Sequence, residues 1–307
     1  MWHFYLRRFL FVSLFISSFS CFAAEEVGSS EVYQVTESIV TELSRMHKVN
    51  SSQLIDVYEV NTSGKKSRHV IQKARELFIR VQQIRMLHGL TEHPIPMLLA
   101  SELQPKHVKI LADKILQDLI SLETLYGVQQ PLAMPAKAVD KTPSDVYQLL
   151  HKAVYMTSGL GVSEVSASNV YRVASAAVYD LRLIRAELAL EDIMRMEVSF
   201  GRKEPRDVHN EARVLIDEIR LMCERKPNIC SSDGVKSYKN RTWEFFAPNK
   251  PKYVLDVLDN AVAEISYIKS SLGIETSTLY PPFIPGKTPT DVYFMVKKAQ
   301  ALVKEIM

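Results

Sequence analysis

The chain has 307 residues, 47% of them apolar and 24% charged, with 38 Lys and Arg against 35 Asp and Glu and a formal net charge of +3. Such a chain can bury one large core or two ordinary ones, which excludes wholesale disorder. The near-neutral balance argues against nucleic acid as the main partner, because that binding rests on neutralising many phosphates.

Residues 1–24 read as a signal peptide. Arg7 and Arg8 form a basic start, Phe9 to Phe19 a short apolar run, and Phe22-Ala23-Ala24 offers small residues for cleavage. No later apolar run is long enough to cross a bilayer, so the expectation is a mature chain without a transmembrane span. Cleavage there would leave 36 Lys and Arg against 35 Asp and Glu. Cys21 lacks the preceding Leu usual at a lipidated cysteine, which argues against a lipid anchor. The expected location is the periplasm of a bacterial source, or outside the cell. In that oxidising setting Cys223 and Cys230, the two cysteines left, are expected to form a disulfide.

From Val32 onward one pattern recurs eight times. A leading Val is followed at +4, +7, +11 and +14 by mostly apolar residues. After Val70 these are Ala74, Leu77, Val81 and Ile84, one stripe of an α-helix. The leading residues are Val32, Val70, Val108, Val146, Val170, Val208, Val254 and Val292. Five of the seven intervals are 38 residues; the others are 24 and 46. Val32 to Val170 and Val70 to Val208 both span 138 residues, which reads as a duplicated block of four units. Lys141 to Tyr147 (KTPSDVY) recurs as Lys287 to Tyr293 (KTPTDVY).

Each unit opens with helix-start chemistry. In Thr142-Pro143-Ser144-Asp145, Thr caps, Pro fits the first turn and Asp reaches back; Thr288 to Asp291 repeats this. Ser166 with Asn169 is a weaker form, and His69 and His107 hold the Asp slot. Gly89, Gly127, Gly161 and Gly273, each followed by an apolar residue, mark helix ends. The helices should then run about 18–20 residues, on the order of 28 Å. The connections carry Pro94, Pro96, Pro131, Pro135, Pro281, Pro282 and Pro285, which exclude a second full helix per unit. They are expected to lie along the bundles and bury Met97, Leu98, Leu99, Leu132, Met134, Phe283 and Ile284. Their length permits parallel and antiparallel neighbours alike. Only the short link Gly161 to Ser166 constrains direction, since helix five must begin beside the end of helix four.

The expected fold is all-α: tandem duplicated four-helix bundles over 25–162 and 163–307, built from eight one-helix repeats of about 38 residues. Catalytic signatures are missing. The sequence has no Glu-x-x-His or His-x-x-x-His pair, no Gly-x-Ser-x-Gly and no phosphate-binding Gly-rich loop. Glu211, Asp217 and Glu218 fall on a polar face and read as solvated and unpaired. The expectation is therefore no enzyme, no cofactor and no metal.

Two features invite a binding reading. Tyr33, Tyr147, Tyr171 and Tyr293 each follow a leading Val, and read as rings covering a bundle end, or alternatively as a ligand cleft. The connection 226–252 is eight residues longer than the repeat requires, and it carries Tyr238, Arg241, Trp243, Phe245 and Phe246 beside the expected disulfide. Trp, Tyr and Arg dominate binding hot spots. The reading is an exported binding module for a protein or cell-envelope polymer, docked through that loop. The alternative is a sensor or carrier of a small molecule held within or between the bundles, with a cavity near Tyr147 or Tyr293.

Overall fold

The computed structural model describes residues 27–50, 62–96, 103–190, 201–235 and 249–307. These hold eight α-helices: α1 (Ser29–Val49), α2 (Ser67–Leu87), α3 (Pro105–Ile120), α4 (Pro143–Ser158), α5 (Ala167–Glu187), α6 (Pro205–Arg225), α7 (Pro251–Ser271) and α8 (Pro289–Ile306). A 3-10 turn, Pro227–Ile229, follows α6, and there is no strand among the described residues.

The helices begin where the capping residues put them. Thr142 N–H donates to Asp145 at 2.8 Å and Thr288 N–H to Asp291 at 2.7 Å, while both Thr hydroxyls accept the return bond from the Asp N–H. His69 and His107 do the same work as acceptors, each taking the N–H of the residue three before it at 3.1 Å. Helix ends follow the expected motif. At Gly89 (φ 73°) the chain turns left-handed and Leu90 N–H reaches back to Arg85 at 3.0 Å. At the end of α5 a non-glycine, Ala189 (φ 54°), makes the same turn.

The repeated stripe is the core. All eight leading valines are 1–2% exposed, and the residues at +4 to +14 behind them are buried too. Two stripe positions are Thr; Thr36 and Thr157 satisfy their hydroxyls on the backbone carbonyls three residues earlier, which lets them sit in the core. α1 to α4 surround one apolar cluster and α5 to α8 another. Within each group α1 packs on α3 and α4, α2 on α3 and α4; α5 and α6 each pack on α7 and α8.

The four helices of each group are parallel. Ala167, Val170, Pro205, Val208, Pro251, Val254, Pro289 and Val292, all from first turns, ring a single dimple at one end of the second group. In the first group, Lys141 N–H meets Ser30 and Lys65 N–H meets Ser144 at the helix starts. At the other end Tyr126 hydroxyl meets the Leu160 carbonyl at 3.3 Å. Parallel neighbours require connections that travel a helix length, and the prolines keep these extended. The segment after α3 descends along α1: Arg45 binds the Gln130 carbonyl, Gln34 the Pro135 carbonyl, and Ser30 the Lys141 N–H.

These returning segments bury less than the sequence suggests. Leu132 packs on the first core, but Met134, Phe283 and Ile284 are exposed; Met97, Leu98 and Leu99 lie outside the described residues. The helical stripes and their flanking apolar positions already fill the cores. The segments therefore ride outside, fixed by hydrogen bonds to the helices. No helix among the described residues is long and apolar enough to cross a membrane.

Candidate functional site

The stripe of α2 faces the first core, yet Arg68, His69, Gln72, Lys73, Arg75 and Arg80 on its other faces are buried as well. Their cover is α7. It packs on α2 and presents Asp256, Asp259, Asn260 and Glu264, all buried. Lys65 Nζ lies 2.5 Å from Asn260, Arg68 Nε 3.1 Å from Glu264 and Lys73 Nζ 2.5 Å from Asp256. Within α2 itself, Arg68 meets Glu264 and Lys73, five residues on, meets Asp256, eight residues earlier in α7, so the two helices, and with them the two groups, are antiparallel.

Charge in this seam is closely matched. Lys73 is 1% exposed and holds Asp256 and Glu76, each at 2.5 Å, with Asp259 at 3.9 Å. Burial alone would neutralise such groups. The Lys73 charge overrides it at Asp256, whose carboxyl is held below its usual range, while Asp256 and Glu76 hold the Lys73 ammonium well above its own. Asp259 differs: burial and its acidic neighbours push it well above the usual carboxylate range. Lys65 is pushed down to about 8 by burial. His69 accepts the Lys66 N–H on Nδ1, so its proton sits on Nε2 and is donated to Glu264 at 2.8 Å. Burial lowers its basicity and keeps the ring neutral.

Two chambers open where the seam meets the link between the groups. The first, about 250 Å³, is walled by Gln72, Arg75, Ile79 and Gln83 of α2, Asn169, Arg172 and Val173 of α5, Leu255 and Asp259 of α7, and Tyr280 and Phe283 of the segment before α8. The second, about 260 Å³, is walled by Arg80, Val154, Tyr155, Ser158, Lys252 and Asp256. Both touch Glu76, Arg80, Glu164 and Val165, so the link residues 163–166 separate them.

In the first chamber Tyr280 donates its hydroxyl to Gln72 at 2.7 Å, and the Arg75 guanidinium stands 5.8 Å over the Tyr280 ring. The Arg75 Nε and the Asp259 Oδ2 are buried without hydrogen-bond partners. Buried polar atoms are nearly always paired, and exceptions call for a reason.

Cys223 and Cys230 form a disulfide with an S–S distance of 2.05 Å. The start of the enlarged connection is tied down by it and by Ser271, which donates to the Ile229 carbonyl at 2.5 Å. Tyr238, Arg241, Trp243, Phe245 and Phe246 lie outside the described residues. Neither Tyr147 nor Tyr293 lines either chamber. The four tyrosines after leading valines instead serve a repeated lock at the helix starts. Lys141, Lys65, Lys287 and Lys203 lie 4.5–4.7 Å over the rings of Tyr33, Tyr147, Tyr171 and Tyr293, and each lysine's N–H binds a Ser or Thr on the same neighbouring helix. Each lock joins the lead-in of one helix to the first turn of its neighbour.

The three carboxylates expected to be solvated and unpaired all have partners; Asp217, itself 38% exposed, lies 3.8 Å from Arg220 one turn on. Glu211 receives Lys297 at 3.2 Å, Gln300 at 2.8 Å and Tyr293 at 3.2 Å, and Glu218 receives Lys304 at 3.1 Å. The polar edge of α6 is covered by the facing edge of α8, which periodicity in one helix does not reveal. Among the described residues no group of three or more His, Cys, Asp and Glu is placed to hold a metal ion.

Sequence reasoning did not single out the seam residues. A signal was present. The α2 segment carries Arg68, Lys73, Arg75, Arg80 and Arg85 around its stripe, while α7 carries Asp256, Asp259 and Glu264 around its own. Opposite charge on two helices of different groups is what an interface between them needs. No family model, no curated protein and no solved structure matches the chain.

Proposed function

We propose that the protein is an exported, non-enzymatic binding protein, periplasmic or secreted, that holds a small ligand in the cleft between its two helical groups. The observation that carries this reading is the first chamber, where the Nε of a buried guanidinium has no hydrogen-bond partner and one oxygen of a buried carboxyl has only the Lys73 ammonium at 3.9 Å. Sites for small molecules are concave, mostly apolar and furnished with a few convergent polar groups, and they favour domain boundaries. The disulfide is compatible with an oxidising compartment.

Native mass spectrometry of protein purified from its source tests this. The expected result is a mature chain carrying a small adduct that leaves on denaturation. An adduct-free chain, together with no shift in melting temperature across a metabolite library, would remove the cleft as a ligand site.

Docking of a protein or envelope polymer through 226–252 is the second reading, supported by the Trp, Tyr, Phe and Arg content of that connection and the disulfide at its base. Here Trp243→Ala with Phe245→Ala should abolish partner capture while far-UV circular dichroism stays unchanged. Undiminished capture would eliminate this reading.

A further inference from the structure

The acids and bases around the first chamber are not balanced in the same way. Glu76 is paired with Lys73 at 2.5 Å, and Glu164 faces Lys250 at 3.6 Å. The guanidiniums have neutral partners. Arg172 Nε donates to the Pro281 carbonyl at 2.8 Å. Arg80 donates to the hydroxyls of Thr157 at 2.6 Å and Ser158 at 2.7 Å. Arg75, 7% exposed, lies against the Tyr280 ring and keeps its Nε unpartnered. Burial also holds Asp259 toward its uncharged form, so it does little to offset them. Glu76 and Glu164 act on Arg80, but among the described residues neither Arg75 nor Arg172 makes an ion pair, so the chamber meets a ligand with two guanidiniums held only by neutral groups.

A second feature adds to this charge. Ser166 and Asn169 on the wall are the N-cap and third residue of α5, so the first turn of that helix opens at the chamber. A helix N-terminus carries partial positive charge and favours anions. The apolar part of the wall is Ile79, Val165, Val173, Leu255 and Phe283. Phe283 is half exposed, and thus offers an aromatic face at the rim that the core does not use.

Resting on the cleft reading above, we propose that the chamber binds a small organic anion: a carboxylate or phosphate group held by Arg75 and Arg172, on a short apolar body lying against Leu255 and Phe283. A guanidinium presents paired N–H donors that match either oxyanion. At about 250 Å³ the space lies below the ~300–1,000 Å³ of drug-sized sites, so the body must be short.

The test is isothermal calorimetry on the disulfide-intact mature chain with four probes: octanoate, octyl phosphate, octylamine and 1-octanol. The proposal expects octanoate or octyl phosphate to bind with Kd on the order of 10–100 μM, and octylamine and octanol at least tenfold more weakly. The tighter of the two anions tells carboxylate from phosphate. Arg75→Gln should weaken that anion tenfold or more, with Arg75→Lys recovering part of the loss. Arg172→Gln, at a half-buried position, gives the same readout if the Arg75 variants fail to fold. Equal affinity for octanol and the anions would overturn the anion assignment while leaving the cleft as a binding site. Anion binding unchanged in the Arg variants that fold would overturn the placement. Silence from all four probes, with no adduct on native protein, would overturn the cleft reading itself.

Discussion

α2 and α6 hold the same slot in their groups, 138 residues apart, and their stripes are equally buried. Their outward faces differ. Arg206, Asn210 and Val214 of α6 are exposed where α2 has the covered residues Arg68, Gln72 and Glu76. The partners differ in the same way: α7 offers Asp256 where α3, its counterpart 146 residues earlier, has the exposed Ile110. Repetition kept the core of the unit and let the outer faces diverge. Helix α2 meets α7, its counterpart's neighbour in kind, and not α6. The seam is therefore heterologous, and it has no second copy among the described residues.

The largest effect that would break this contrast is at Lys73. Lys73→Met strands Asp256 and Glu76 in a buried site without their cation, and should cost about 3–5 kcal/mol at neutral pH, read by urea denaturation. Glu211→Gln, at the matching position of α6, should cost on the order of 1 kcal/mol, because Glu211 and its cation Lys297 are both partly solvated. Similar losses at the two positions would mean that the seam is wet and that the contrast between α2 and α6 has no energetic content.

The ends of the same two helices are secured by different chemistry. α6 closes with the Cys223–Cys230 disulfide. In α2 the residue matching Cys223 is Arg85, which donates to Ser121 at 2.7 Å and to the Thr91 carbonyl at 3.2 Å. Reduction should lower stability by about 2–3 kcal/mol, the chain-entropy value for so short a loop. The loss should appear in melting temperature with and without dithiothreitol, and spare the first group in hydrogen exchange.

A third divergence lies between the first and third helices of each group. Asp180 and Lys269 form a fully buried pair at 2.6 Å, completed by the Thr278 hydroxyl at 2.6 Å. Their counterparts are Glu42 and Glu123, two acids bridged by Arg45. Burial and then the Glu123 charge push the Glu42 carboxyl up to about 7. The folded chain therefore keeps this proton between about pH 4.5 and 7, where the unfolded chain has released it. The stabilisation is full below about 4.5 and is lost as pH rises through 7. Glu42→Gln should flatten that window and stabilise the chain at pH 8 by about 1–2 kcal/mol. A pH profile identical to the parent's would show that Arg45 already neutralises the pair.

What the sequence made legible follows from what repeats. Ala74, Ala112 and Ala261 sit in the core because a stripe at helical spacing has one way to be buried, and the Thr142 and Thr288 caps announce where their helices start. Helix direction was not legible, because it depends on whether a connection doubles back or returns, and both lengths fit. The cleft was hidden for a related reason. Arg75 and Asp259 are 184 residues apart, each reads as an ordinary solvated charge on its own helix, and only the docking of one group on the other makes them buried. The expected tyrosine role was partly legible. The position after the leading Val puts each ring at a first turn, but the lysine over it comes from the lead-in of a neighbouring helix, five before that unit's leading Val, a pairing that no spacing within one unit shows.

That lock gives the smallest and most symmetric prediction. Lys141 over Tyr33 and Lys287 over Tyr171 are the same contact in the two groups, both 4.5 Å from the ring centroid, each with its N–H on Ser30 or Ser168. A partly exposed cation–π contact contributes about 0.5–1 kcal/mol. Lys141→Ala and Lys287→Ala should each lose that much, and equally, since the backbone N–H bond survives substitution. Lys65 over Tyr147 is the same device bent to another use: its Nζ is also spent on Asn260 across the seam, and burial already lowers its basicity. Lys65→Ala should therefore exceed the other two in cost and, unlike them, weaken protection of α7 amides in hydrogen exchange. Equal losses at all three lysines would mean that the seam draws nothing from the lock, and that the two groups dock as independent bodies.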